Sequence, residues 1–156
     1  MKATKLTNQI QKQLRYFNPT VTVKVDTEFS YYYDTDIITY CPYQLYPEQA
    51  EEFAGFVEKT YNFDIRPHYF MFSLLHEIGH SMTMDLLGAN ELQTEAFLRE
   101  LIHASDEKLG NEMYFNLPSE RMANRWAVEC FNDHREMCIR IEKRLQKMLN
   151  HYYKKA

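Results

Sequence analysis

The chain of 156 residues is poor in cysteine, glycine and proline and has no long apolar run, and each shortage removes a class of protein. Its three cysteines, Cys41, Cys130 and Cys138, are odd in number and show no close pairing of the zinc-knuckle or redox kind. They read as reduced, mostly buried residues of a cytoplasmic protein. No stretch of 18 apolar residues is present to cross a membrane, and the opening residues 1–17 are too polar for a secretory signal peptide. No Gly/Ser/Pro-rich linker and no internal repeat divides the chain, so one domain over 1–156 is expected, with 134–156 as a C-terminal helix. The net charge of −4 is mild and singles out no partner.

What is present is an ordinary globular composition with a surplus of rings. The 45 % hydrophobic and 26 % charged residues argue against disorder. The 12 Tyr and 10 Phe fit a core filled with large side chains, or the lining of a cleft. Leu6, Ile10, Leu14 and Phe17 mark an amphipathic helix over 3–17, ended by Asn18-Pro19. Val21, Val23 and Val25 alternate with polar residues as in a half-buried strand, and residues 31–41 add one or two more. A loop between Pro42 and Pro47 leads to a helix over 48–61, and a strongly apolar helix follows over 68–87. Gly88-Ala89-Asn90 breaks the pattern. Further helices are expected over 91–109 and 120–132, separated by a loop at 110–118 that ends in a Pro118-Ser119 cap. A last helix starts near 134. The fold class expected is α+β: compact, mostly helical, with a small N-terminal sheet. Residues 134–156 carry seven Lys or Arg against two acids, which reads as a solvated helix face rather than a nucleic-acid surface.

The chemistry concentrates in His76-Glu77-Ile78-Gly79-His80. At 3.6 residues per turn, His76 and His80 stand one above the other on one helix face, spaced to share a metal ion, with Glu77 beside them. The surrounding Phe70, Met71, Phe72, Leu74, Leu75 and Ile78 make that helix a buried one, where two imidazoles and a carboxylate are costly unless a metal offsets their desolvation. Gly79 weakens the helix by about 1 kcal/mol relative to Ala. Close passage of a neighbouring segment or a bound substrate would account for it.

A third ligand must come from elsewhere, and the segment from Ser119 to His134 offers Glu120, Glu129, Asp133 and His134. Glu120 shares a small-residued face with Ala123, Asn124 and Ala127, able to press against the His helix. Glu129 lies about 180° round the helix from Glu120 and His134 about 21 Å along it, so neither joins Glu120 on one ion. Glu120 in the first turn also suits the helix dipole. Glu95 is a weaker ligand candidate, or an acceptor that orients a ligand imidazole. Two His and one Glu with an open position point to catalytic zinc (Zn2+).

With Glu120-x-x-Ala123-Asn124-x-Trp126-Ala127 downstream, the His76–His80 pentad resembles the ImmA/IrrE family of small zincin-like zinc peptidases, of the gluzincin type. These occur in bacteria, phages and mobile elements, often beside helix-turn-helix repressors that they inactivate. The resemblance covers roughly residues 45–132. It implies His76, His80 and Glu120 as zinc ligands, Glu77 as general base, and peptide-bond hydrolysis in an intracellular regulatory protein such as a repressor. An oxyanion needs a further donor, for which Tyr114, His103 and Tyr69 are candidates, with Asn124 and Glu95 as supporting residues. No membrane or nucleic-acid partner is expected. The rival reading is a non-catalytic, zinc-stabilised module that binds a repressor or host protein. Retention of Glu77, which a purely structural site does not need, favours the enzyme.

Overall fold

The computed structural model describes residues 2–42 and 50–153. The loop expected to run on to Pro47, the start of the 48–61 helix and the basic residues Lys154 and Lys155 lie outside them. The element order is α1 (Lys2–Leu14), β1 (Thr22–Val25), β2 (Ser30–Tyr32), β3 (Ile37–Tyr40), α2 (Glu51–Tyr61), α3 (Tyr69–Thr83), α4 (Ala89–His103), α5 (Glu107–Phe115), α6 (Pro118–Asp133) and α7 (Arg135–Tyr153). Short 3-10 turns at Arg66–His68 and Met84–Leu86 flank α3. The architecture is α+β and mostly helical, with one small sheet.

Everything is arranged around α3, in which every residue from Phe70 to Gly79 is buried. A helix apolar on all sides needs neighbours on all sides. Here β2, β3, α6 and α7 supply them. The sheet has the order β1-β3-β2, with β1 parallel and β2 antiparallel to the central β3. Ile38 and Tyr40 of β3 and Val23 of β1 are buried, and β2 is left as an edge strand. The left-handed conformation of Asp36 closes the β2–β3 connection. On α1, Leu6, Ile10 and Leu14 are buried as the periodicity predicts. The helix stops at Leu14, three residues early, and residues 15–17 continue as a hydrogen-bonded turn into Asn18. On α7 the buried stripe is Cys138, Ile141, Leu145 and Leu149, with Met137 and Met148 at its flanks, while Arg135, Arg140, Lys143, Arg144 and Lys147 are exposed.

Two helix expectations are corrected. The 68–87 helix ends at Thr83, whose hydroxyl donates to the Gly79 carbonyl at 2.7 Å, a side-chain bond that competes with the helical ladder. The 91–109 helix and 110–118 loop are instead two helices, α4 and α5. Asp106 starts the second by accepting the Leu109 N–H at 2.9 Å, a local cap that the aliphatic periodicity running through Leu109 obscures.

Candidate metal centre

The spacing of His76 and His80 on α3 brings their Nε2 atoms to 3.1 Å from each other. The third corner comes from α6. Its face of Ala123, Asn124, Ala127 and Phe131 is buried against α3. At Gly79 the helices touch backbone to backbone: a Cβ there would lie 2.6 Å from the Ala123 carbonyl oxygen. Gly79 thus answers to a neighbouring segment, and the close approach sets Glu120 over the two imidazoles. His76 Nε2 lies 3.0 Å from Glu120 Oε2, and His80 Nε2 lies 3.2 Å from Glu120 Oε1.

This triangle has the dimensions of a metal-ion site. Tetrahedral zinc bonds of about 2.0–2.1 Å set ligand atoms about 3.3 Å apart. The donor atoms of His76, His80 and Glu120 all lie within 4.8 Å of one another, the one such group among the described residues. The tautomer agrees. His76 Nδ1–H donates to Asn124 Oδ1 at 2.7 Å in a buried bond, so Nε2, directed at the other two donors, is the nitrogen available to a metal once its proton leaves. Asn124 Nδ2 has no hydrogen-bond partner among the described residues, so this fully buried amide is held for its oxygen. Burial opposes a charge on His76, but the Glu120 carboxylate outweighs it and lifts the imidazole to about 9. Burial also works against the charge on Glu120, yet His76 and His80 hold its carboxyl far below the usual range.

Glu77, the residue after His76, is buried and is not one of the three converging donors. Burial pushes its carboxyl up, against the pull of His76 and His80. Tyr114 of α5 donates its hydroxyl to Glu120 Oε1 at 3.0 Å, and burial with the adjacent Glu120 charge pushes that hydroxyl up, so it stays a donor.

Two open cavities meet at these residues, both lined by Phe29, Glu77, Tyr114 and Glu120. One, about 220 Å³, continues along the β2 edge at Ser30 and Tyr31 and past His80 to Arg99. The other, about 260 Å³, is aromatic, with Phe53, Tyr69 and Phe115 beside His76. Tyr69 therefore stands at the cleft, whereas His103 ends α4 as an exposed residue lining neither cavity. Glu129, Asp133 and His134 are exposed.

Glu95 takes neither role considered for it. It accepts hydrogen bonds from both the backbone N–H and the hydroxyl of Ser119. The first-turn N–H groups of a helix lack internal partners. Because α6 begins at Pro118, Ser119 lies inside it and cannot be its cap, and Leu117 at the N-cap supplies no side-chain bond. The buried Glu95 caps from a distance and fixes the end of α6 that carries Glu120. Arg99, Phe53 and the β2 edge also line the cleft, and no local sequence pattern joins them to the pentad. Compared with protein-family models, curated proteins and solved structures, the chain matches none.

Proposed function

We propose that the protein is a zinc-dependent peptidase that hydrolyses a peptide bond in an intracellular regulatory protein such as a repressor. The observation that carries this reading is the convergence of His76, His80 and Glu120 on one point at the floor of an open cleft, with Glu77 beside them and outside the ligand set. The resemblance to the ImmA/IrrE peptidases supports the same assignment. So does the cleft, which extends to both sides of the centre, as a substrate chain continuing on either side of a scissile bond requires. An edge strand such as β2 offers such a chain main-chain hydrogen bonds.

His76, His80 and Glu120 would hold the zinc ion, which when bound supplies Lewis-acid polarisation of a carbonyl and acidification of water. Glu77 takes the proton of the attacking water and delivers it to the leaving amine. Its burial, which raises its proton affinity, suits a group that must accept a proton and then hold it until the amine departs. The Tyr114 hydroxyl stands within the same cleft as the donor to the developing oxyanion, ahead of Tyr69 and His103.

A second reading, a zinc-stabilised module that binds its partner without cutting it, draws on α4, where Leu92, Phe97 and Leu101 are exposed. Replacing Glu77 by Gln separates the two. The peptidase reading predicts a fall of about 10²–10⁴-fold in hydrolysis of a peptide library with zinc retained. Unchanged partner inactivation by the Glu77→Gln protein favours the module.

A further inference from the structure

The two arms of the cleft differ in charge. Arg99 is the one Lys or Arg lining either cavity among the described residues, and it stands in the arm that holds Glu77, His80 and Glu120. Arg66, elsewhere on the surface, is by contrast ringed by Glu51, Glu58 and Asp64. Arg99 has no ion pair and no side-chain hydrogen bond among the described residues. Glu95, one turn earlier on α4, would be its natural helical partner, but that carboxylate is committed to Ser119. Glu120 is held by the two imidazoles and Tyr114. Arg99 is exposed, and it lines the same cavity as Glu77, Tyr114 and Glu120, so its guanidinium faces the arm in which the reacting centre lies. A guanidinium is a fixed fork of N–H donors matched to a carboxylate.

We propose that Arg99 is a specificity-determining residue, binding a carboxylate of the substrate beside the scissile bond. The carboxylate is either an Asp or Glu side chain or the C-terminal end of a chain cut near its terminus. This rests on the peptidase reading of the same cleft. Loss of the charge removes the preference, and its reversal turns the preference toward basic residues.

The test uses zinc-loaded Glu77→Gln protein, alone and combined with Arg99→Gln or Arg99→Glu, to retain peptides from a random library made with free and with amidated C-termini. Retained peptides are sequenced by mass spectrometry, and zinc content and far-UV circular dichroism check each variant. With Arg99 present, either Asp and Glu are enriched over Asn and Gln at one position or free-ended peptides over their amidated counterparts, in each case by up to about five-fold, the upper size of an exposed ion pair. Arg99→Gln abolishes that enrichment and Arg99→Glu replaces it with Lys and Arg. Enrichment in the amidated library identifies a side-chain carboxylate; enrichment confined to free ends identifies the chain terminus. Carboxylate enrichment that survives Arg99→Glu, or its absence from the parent protein, overturns the assignment. Digestion of the same library with Glu77 intact tests the peptidase reading separately: selective retention without any cleavage would overturn catalysis and leave Arg99 as a binding residue.

Discussion

At the scale of single residues, Asn124 shows how a neutral side chain sets a charged site. Its oxygen receives the Nδ1 proton of His76, and that one bond selects the tautomer with Nε2 free to ligate. Asn124→Ala is expected to weaken zinc binding about 10–100-fold, and Asn124→Asp, which keeps an acceptor there, to restore most of it. Competition with a chelating fluorophore measures both. The His76 imidazole, lifted to about 9 by Glu120, bears a second proton, on Nε2, at pH 7 in the metal-free protein. Zinc must displace that proton, so binding strengthens as pH rises toward 9 and releases about one proton per ion near neutrality. Calorimetry in two buffers of different ionisation enthalpy reads the number directly; no buffer dependence would contradict the charge state assigned to the pair.

At the scale of elements, the centre depends on how closely α6 lies against α3. A methyl group at Gly79 meets the backbone of Ala123, which cannot move aside as a flexible side chain would. Gly79→Ala is therefore expected to lose about 1–3 kcal/mol to overpacking, more than the helix propensity it gains, and to weaken zinc binding as Glu120 is pushed away. Gly55 in α2 is the control, since a Cβ there meets nothing within 4 Å. Gly55→Ala should stabilise the protein by about 0.5–1 kcal/mol and leave zinc binding unchanged. Urea titrations of both variants test the contrast. Glu95→Ala strips the α6 terminus of its acceptor and is expected to cost about 1–3 kcal/mol.

These elements also mark what the sequence could and could not show. The His76–His80 pair and the small-residued face of α6 are local matters of helical spacing, and they were legible; Gly79 was left open between a neighbouring segment and a bound substrate, and the contact with Ala123 decides it. Glu120 followed from the same periodicity once α6 was placed. The division of the 91–109 segment was hidden because Leu101 and Leu109 keep an aliphatic pattern running through the Asp106 cap, although both are exposed. The Glu95–Ser119 contact was not legible, because it joins two helices whose relative position only the fold determines. Arg99 escaped for the same reason.

For the molecule as a whole, the described structure is a helical body built on the buried α3, with its charged triad enclosed among core residues. Among the described residues no helix is long and apolar enough to cross a membrane. A buried cluster of two imidazoles and a carboxylate couples metal binding to folding. Zinc at about 100 times its Kd should add about 2.7 kcal/mol of stability. For a chain of this size that raises Tm by about 5–10 °C, and a chelator should reverse the gain. Differential scanning calorimetry with and without zinc follows it.

An open three-residue zinc site with Glu77 outside the ligand set has a plain readout in zinc content, measured by inductively coupled plasma mass spectrometry. The measurement compares the native chain with His76→Ala, Glu77→Gln, Glu120→Ala and Glu129→Ala after identical loading. One zinc per chain is expected in the native, Glu77→Gln and Glu129→Ala proteins, with loss or marked weakening in His76→Ala and Glu120→Ala. Native protein that takes up no zinc, or zinc retained undiminished in Glu120→Ala, would contradict it.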